Sequence, residues 1–186
     1  MTRRNVRVVP HDPSWAAAFA AEAATLRSIL GPDALAVHHI GSTSVPGLAA
    51  KPTIDVLIEA RRIEAIDAHN PAMSKNGYEA WGEYGIPGRR FFVKNRGAVR
   101  THNVHVFEAG TAEVERHLAF RDYLLHHPET ALSYGRLKED LAREHPNGME
   151  AYMDGKDAFV KEVEREAISW TRAGNDPKAG PEGKAC

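Results

Sequence analysis

HHIGSTSVPGLAAKPTIDVLIEA, residues 38–60, places two strand-like runs on either side of a loop. Ala34 to Ile40 and Thr53 to Ile58 read as the strands. The second is apolar almost throughout around Asp55, the pattern of a strand covered on both faces. Between them stand Gly41, Ser42, Thr43, Ser44 and Lys51. A turn uses the glycine and tolerates the hydroxyls, but it needs neither the lysine nor the acid. Gly41-Ser42 can bring backbone N–H groups close to an anion, with rotatable hydroxyls from Ser42, Thr43 and Ser44. Lys51 adds a compact positive charge. Asp55, between Ile54 and Val56, is costly to bury unless it is paired, hydrogen-bonded or metal-bound. A hard cation such as Mg²⁺ would satisfy it and bridge to phosphate oxygens on the loop. Taken singly, these features also fit an ordinary turn and a strand aspartate that caps a helix or meets an arginine. Their conjunction points to a site for phosphate and metal.

Outward from this stretch, Val6–Val9 is a short β-branched run stopped by Pro10. Asp12 can cap a helix that starts at Pro13, carries Trp15, Phe19, Ala23, Leu26 and Leu30 at helical spacing, and ends at Gly31-Pro32. Arg61 to Asn76 reads as helical, broken or restarted at Pro71 and closed by Gly77. Strands follow at Tyr78–Trp81, Arg90–Lys94 and Asn103–Phe107, joined by glycine-bearing turns. Thr111 opens a helix to His126, Pro128 opens a second through Tyr134, Leu137 and Leu141, and Met149–Arg172 forms a third. Helix, interleaved strands, then helices predict an α/β (α+β) fold: a mixed sheet flanked by helices, with a C-terminal helical subregion. Trp15, Phe19, Phe120 and Phe159 are assigned to its core.

The 186 residues suit a single domain, residues 1–173, followed by a polar, glycine- and proline-rich tail, 174–186, expected to be disordered. Lysine plus arginine, 24, nearly balance aspartate plus glutamate, 25, which argues against stable nucleic-acid binding. The only cysteine, Cys186, excludes an internal disulfide and reads as a solvated tail residue of a protein from a reducing compartment. With neither a signal-peptide run nor a membrane-length apolar run, the expected location is the cytoplasm.

HHIGSTSVPGLAAKPTIDV resembles the signature of the GrpB family, itself similar to the nucleotidyltransferase superfamily. VVPHDPSW, NGYEAWGEYGIPGRRFF, HNVHVF, LAFRDYLLHHPETALSYGRLKEDLA and YMDGKDAFV follow the family pattern in order, over most of the chain. The superfamily resemblance implies a strand, a Gly-Ser turn at nucleotide phosphates, and a paired carboxylate motif on the next strand. Gly41-Ser42 match the turn and Asp55 the first carboxylate. Leu57 stands in the place of the second. Two carboxylates normally share two metal ions, so this departure touches catalysis more than phosphate binding.

HNVH puts Asn103 and His105 on one face of a strand and His102 and Val104 on the other. The family match assigns His105 to the site, as metal ligand or general base beside Asp55. His39 could orient the loop. Of Arg89 and Arg90, one can enter the cleft and hold a phosphate, and Arg90 is the candidate. Arg121 and Asp122, consecutive on a helix, are expected to diverge. Tyr134 and Lys138 lie one turn apart, as do Tyr152 and Lys156, and each pair could approach the ligand. Two functions follow. In one, Gly41, Ser42 and Lys51 hold a nucleoside triphosphate and Asp55 holds Mg²⁺ for nucleotidyl transfer to a small-molecule or protein acceptor. In the other, the chain is a binding module for a nucleotide or coenzyme-like phosphate that has lost catalysis with the second carboxylate. Some relatives of the family are fused to dephospho-coenzyme A kinase, which implies an accessory role in cofactor metabolism. A small-molecule nucleotide is the expected partner, with no membrane involved.

Overall fold

The computed structural model describes residues 6–175. Its elements run α1 Ser14–Leu30, β1 Ala34–Ile40, β2 Ile54–Ala60, α2 Asn70–Lys75, β3 Tyr78–Ala80, β4 Arg90–Arg96, β5 Val99–Glu108, α3 Ala112–His126, α4 Pro128–Glu144 and α5 Met149–Arg172. The strands form one sheet in the order β1-β2-β5-β4-β3. Only β2 and β5 pair in parallel, and the other neighbours are antiparallel. The expected mixed sheet with flanking helices and a helical C-terminal part is therefore the fold.

Alternation along β2 sends Ile54, Val56, Ile58 and Ala60 to one face. There they pack with Val104, Val106, Phe92 and the α1 residues Trp15, Leu26 and Leu30. Ile63, Ile66 and Met73 complete that cover. On the opposite face Leu57 meets Ile40, Phe107 and Val114, the last from α3. The strand is thus buried on both sides, as its apolar run required. Val45, Leu48, Leu124, Tyr134 and Val163 join the loop after β1 to helices α3, α4 and α5.

The β-branched run Val6–Val9 contributes a single bridge, from Val9 to Ala50. Two local expectations are corrected. The expected helix over 61–76 is a 3-10 segment, Ile63–His69, followed by the short α2. Pro71 sits in the first turn of α2, where its missing N–H costs nothing and its ring favours a fresh start. Thr111 precedes α3, but its hydroxyl donates to the Glu108 carbonyl (2.9 Å) and not as a cap to the helix. Gly174 and Asn175 apart, the expected tail and Cys186 lie outside the described residues.

Candidate functional site: a lysine recess around Asp55

β1 ends at Ile40, opposite Asp55 in the antiparallel register, so the next residue turns beside the carboxylate. That residue is Gly41, at φ +69. A Cβ there would lie 2.6 Å from Asp55 Oδ2. No side chain fits between turn and acid, and the left-handed φ independently favours glycine. In the parallel register Asp55 lies beside Asn103 of β5, whose Nδ2 donates to Asp55 Oδ1 at 2.8 Å. Burial raises the Asp55 carboxyl pKa. The Asn103 hydrogen bond and the ammonium groups of Lys51, Lys156 and Lys138 pull against that rise.

The three lysines arrive from three elements. Lys138 of α4 is only 2% exposed. It donates to Ser42 Oγ (2.8 Å) and to the Ala49 carbonyl, and it lies 4.4 Å from the Tyr134 ring centre. Burial, helped by the charge of Lys156, brings its pKa down to about 7. Lys156 of α5 is lowered too, by burial first and then by Lys51, with Asp55 opposing. Lys51, from the loop, has its Nζ 5.4 Å from the Tyr152 ring centre and 3.6 Å from Met149 Sδ. Two glycines allow the helices to converge. A Cβ on Gly135 would stand 3.4 Å from Leu48 Cδ1, so α4 presses directly on the loop. One on Gly155 would run into Leu141, so α5 lies tight on α4. With one helical turn between Tyr and Lys, each helix contributes Tyr134 and Lys138, or Tyr152 and Lys156, to one recess. Tyr134 also neighbours the Ser42 hydroxyl, and burial raises its phenol pKa.

The donor set does not suit a protein-held Mg²⁺. Among the described residues no group of three or more His, Cys, Asp and Glu side chains could hold a metal. Asp55 already lies near three lysines, whose positive charge works against a bound cation. The other acids that could have joined it are committed elsewhere. Glu59 meets His38 (2.8 Å), Glu83 accepts from the Gly88 N–H (2.7 Å), Glu108 from the Ile63 N–H (3.1 Å), and Asp122 pairs with Arg121 (2.6 Å). Three lysines and the Ser42 hydroxyl beside one carboxylate make a donor set whose chemistry suits an anion better than a cation.

The sequence profile described as "GrpB protein" matches residues 5–166. This chain belongs to the GrpB family. It is 46% identical to the UPF0157 protein YqkA of Bacillus subtilis over 94% of its own length, and spans 50% of that protein. It is 30% identical to the glutamate-rich protein GrpB of Alkalihalophilus pseudofirmus, covering 88% of this chain and 96% of that one. The crystal structure of the conserved protein GrpB from Enterococcus faecalis superposes with a TM-score of 0.86 at 45% identity, over 89% of this chain and 99% of that one.

Not every candidate residue reaches the recess. Thr43 is buried, with its hydroxyl against His39 Nε2 (2.9 Å), and Ser44 donates to the Gly41 carbonyl (2.6 Å). Both shape the turn. His39 stacks on Phe19, with centroids 4.6 Å apart, on the α1 side. Burial pushes its pKa down to about 4, so it is a neutral prop. Arg90, expected at a phosphate, is turned to the opposite face of the sheet. It lies opposite Val106 and forms a two-pronged pair with Asp67 (2.6 and 2.8 Å). Arg121 and Asp122 do not diverge, because the long arginine folds back on its neighbour while also donating to the His39 carbonyl (3.3 Å).

His105 shares the Asp55 face but stands beside Leu57, one step along the strand. Its Nδ1 accepts from Arg89 Nη1 (3.3 Å), and its ring packs on Phe91 and His117. Burial, then the charges of His117, Arg89 and Arg116, hold its pKa well below the usual value. A guanidinium at that distance disfavours a metal there. Asn103, the direct partner of Asp55, shares its face by alternation, but alternation alone does not mark it for the site. Its level with Asp55 across the parallel pair is the missing signal. A groove of about 530 Å³ lined by Tyr123, His127 and Trp170 lies apart from these charges, along α3 and α5. No helix among the described residues is long and apolar enough to cross a membrane.

Proposed function

We propose that this GrpB protein is a binding module for the phosphate chain of a nucleotide or coenzyme-like small molecule, seated in the lysine recess. The observation that carries this is charge imbalance. Lys51, Lys138 and Lys156 gather around Asp55, and deep burial penalises the Lys138 charge enough to bring its pKa down to about 7. Such an arrangement is unfavourable in an empty protein and favourable once an anion enters. Gly41 and the Ser42 hydroxyl supply close, uncharged donors at the same place. A dephospho-CoA kinase of Mycolicibacterium paratuberculosis, 26% identical over 91% of this chain and spanned by it for 48% of its own length, supports a coenzyme-like ligand.

Nucleotidyl transfer, which the superfamily resemblance implies, is the less favoured activity. It relies on paired carboxylates, and Leu57 at the second place is fully buried in an apolar cluster. Calorimetry with ATP and with inorganic tripolyphosphate, with and without Mg²⁺, tests the choice. Lys138→Met is expected to weaken both ligands about ten-fold or more, as loss of a buried charge-assisted contact does. Asp55→Asn should leave their Mg²⁺-free binding in place. Equal affinities in wild type and Lys138→Met would reject the recess as the phosphate site. Binding that requires both Asp55 and Mg²⁺ would favour the transferase.

A further inference from the structure

The loop between β3 and β4, residues 81–89, carries an aromatic pair unexplained by the core. Tyr84 is the only non-glycine among the described residues with positive φ, at +43, and it is 57% exposed. Its ring stacks on Phe91 (centroids 5.3 Å apart, planes at 11°) and meets Trp81 edge-on at 4.7 Å. Phe91 thereby covers one face of the ring, while more than half of the residue stays exposed. Exposing a large aromatic in a sparsely populated backbone region is unfavourable twice over, and such strain persists only where surrounding contacts over-determine it.

Those contacts are present. Arg89, 5% exposed, donates from Nη2 to the Tyr84 carbonyl (2.6 Å) and from Nε to the Glu83 carbonyl (3.1 Å), with its guanidinium 4.7 Å from the Phe91 ring centre. The Gly88 N–H donates to Glu83 Oε1. Two nitrogens of the buried arginine thus hold the backbone that presents Tyr84, while the third, Nη1, goes to His105.

This pair adjoins the recess through a continuous polar path. Asp55 accepts from Asn103, Asn103 Oδ1 faces Arg100 Nη1 at 3.5 Å, and the Arg100 guanidinium lies 4.6 Å from the Trp81 ring centre. Phe91 and His105, opposite each other on neighbouring strands, line the same face of the sheet as Asp55 and Asn103. From β2 to β3 the sheet crosses three strand spacings, about 14 Å, the scale of an extended nucleotide.

We propose that Trp81 and Tyr84 form a stacking platform for the nucleobase of the ligand, which narrows the ligand class from phosphate compounds in general to nucleotides. The platform rests on the lysine recess holding the phosphates. Arg100, between the two, faces the sugar or the first phosphate. Stacking on one exposed aromatic contributes about five- to a hundred-fold in affinity.

The test compares ATP with inorganic tripolyphosphate by calorimetry on the full chain. Wild type is expected to bind ATP about ten-fold or more tightly than tripolyphosphate. Tyr84→Gly removes the ring without backbone strain and should erase that preference while leaving tripolyphosphate affinity unchanged. Tyr84→Phe should keep it. Tyr84→Asn, which also tolerates positive φ, repeats the measurement should the glycine variant fold poorly. Equal wild-type affinities for the two ligands, or a preference that survives in Tyr84→Gly, overturns the platform and leaves the phosphate reading standing. If neither ligand binds wild type, both readings fall.

Discussion

The two faces of the sheet handle charge in opposite ways. On the α1 side, charges close on each other. Glu22 of α1 receives Lys94 (2.6 Å) and the Tyr78 hydroxyl, and Arg90 takes Asp67. On the Asp55 side, three lysines from three elements converge on one buried acid, with Glu139, Asp157 and Glu164 acting on them from the helices. Paired charges hold a structure together, whereas like charges held close by packing store unfavourable energy that an opposite charge from outside can release. Stability and binding should therefore respond to mutation separately on the two faces.

The largest effect should come from the hinge between turn and acid. Gly41→Val sets a Cβ into Asp55 at a left-handed φ. We expect a loss of about 3 kcal/mol or more, read in urea unfolding. A smaller change would mean that the turn can back away from the carboxylate.

Next comes the balanced face. Glu22→Ala strands Lys94 and Tyr78 and should cost about 2 kcal/mol, with phosphate binding untouched. Burial pushes the Glu22 carboxyl up, but the hydrogen bonds from Lys94 and Tyr78 outweigh it and the pKa lies below the ordinary value. A depressed folded pKa gives stability that is present above the unfolded value, about 4.5, and lost as pH falls through the folded one. The variant should lose that acid-side dependence. Reduced affinity for tripolyphosphate in Glu22→Ala would show that the faces are coupled.

Lys138→Met should act with the opposite sign. The Lys138 pKa of about 7 lies below the unfolded value near 10.5. The unfolded chain then binds more protons between those limits, so wild-type stability rises with pH across about 7–10.5 and the penalty is complete below 7. Replacing the lysine should stabilise the protein by on the order of 1–2 kcal/mol at pH 6 while weakening anion binding. Binding itself should draw in a proton near pH 8, because an entering phosphate raises the lysine pKa. Calorimetry in buffers of different ionisation enthalpy measures that uptake, and its persistence in Lys138→Met would point to another group.

The smallest effect belongs to Arg90→Ala. Its partner Asp67 is about half exposed, so the pair is screened. A loss of under about 1 kcal/mol is expected, with no change in affinity for tripolyphosphate. Weakened binding would return Arg90 to the site despite its orientation.

Most of the fold was legible along the chain because its signals are local. The period of Trp15, Leu26 and Leu30, the glycine and proline stops, and the apolar run around Asp55 each need only a few neighbouring residues. Where local signals conflict the chain is less legible: residues 61–76 carry helix-forming types, but Pro71 splits them into a 3-10 segment and a short helix. Within the site, Gly41, Ser42, Lys51 and Asp55 were visible as one short stretch. Arg90 was misplaced because two adjacent residues on a strand point oppositely, and nothing in GRRFF says which one faces α1.

Element order, the buried character of β2 and the meeting of turn and acid are written in residue types and their spacing, since these act over a turn or a pleat. The recess is not. Lys138 reaches Ser42 across 96 positions of chain, through a helix brought close by Gly135 and a second helix seated by Gly155. Whether such a lysine meets solvent, an acid or two other lysines depends on how α4 and α5 pack against the sheet, a sum of many weak contacts that no single stretch contains.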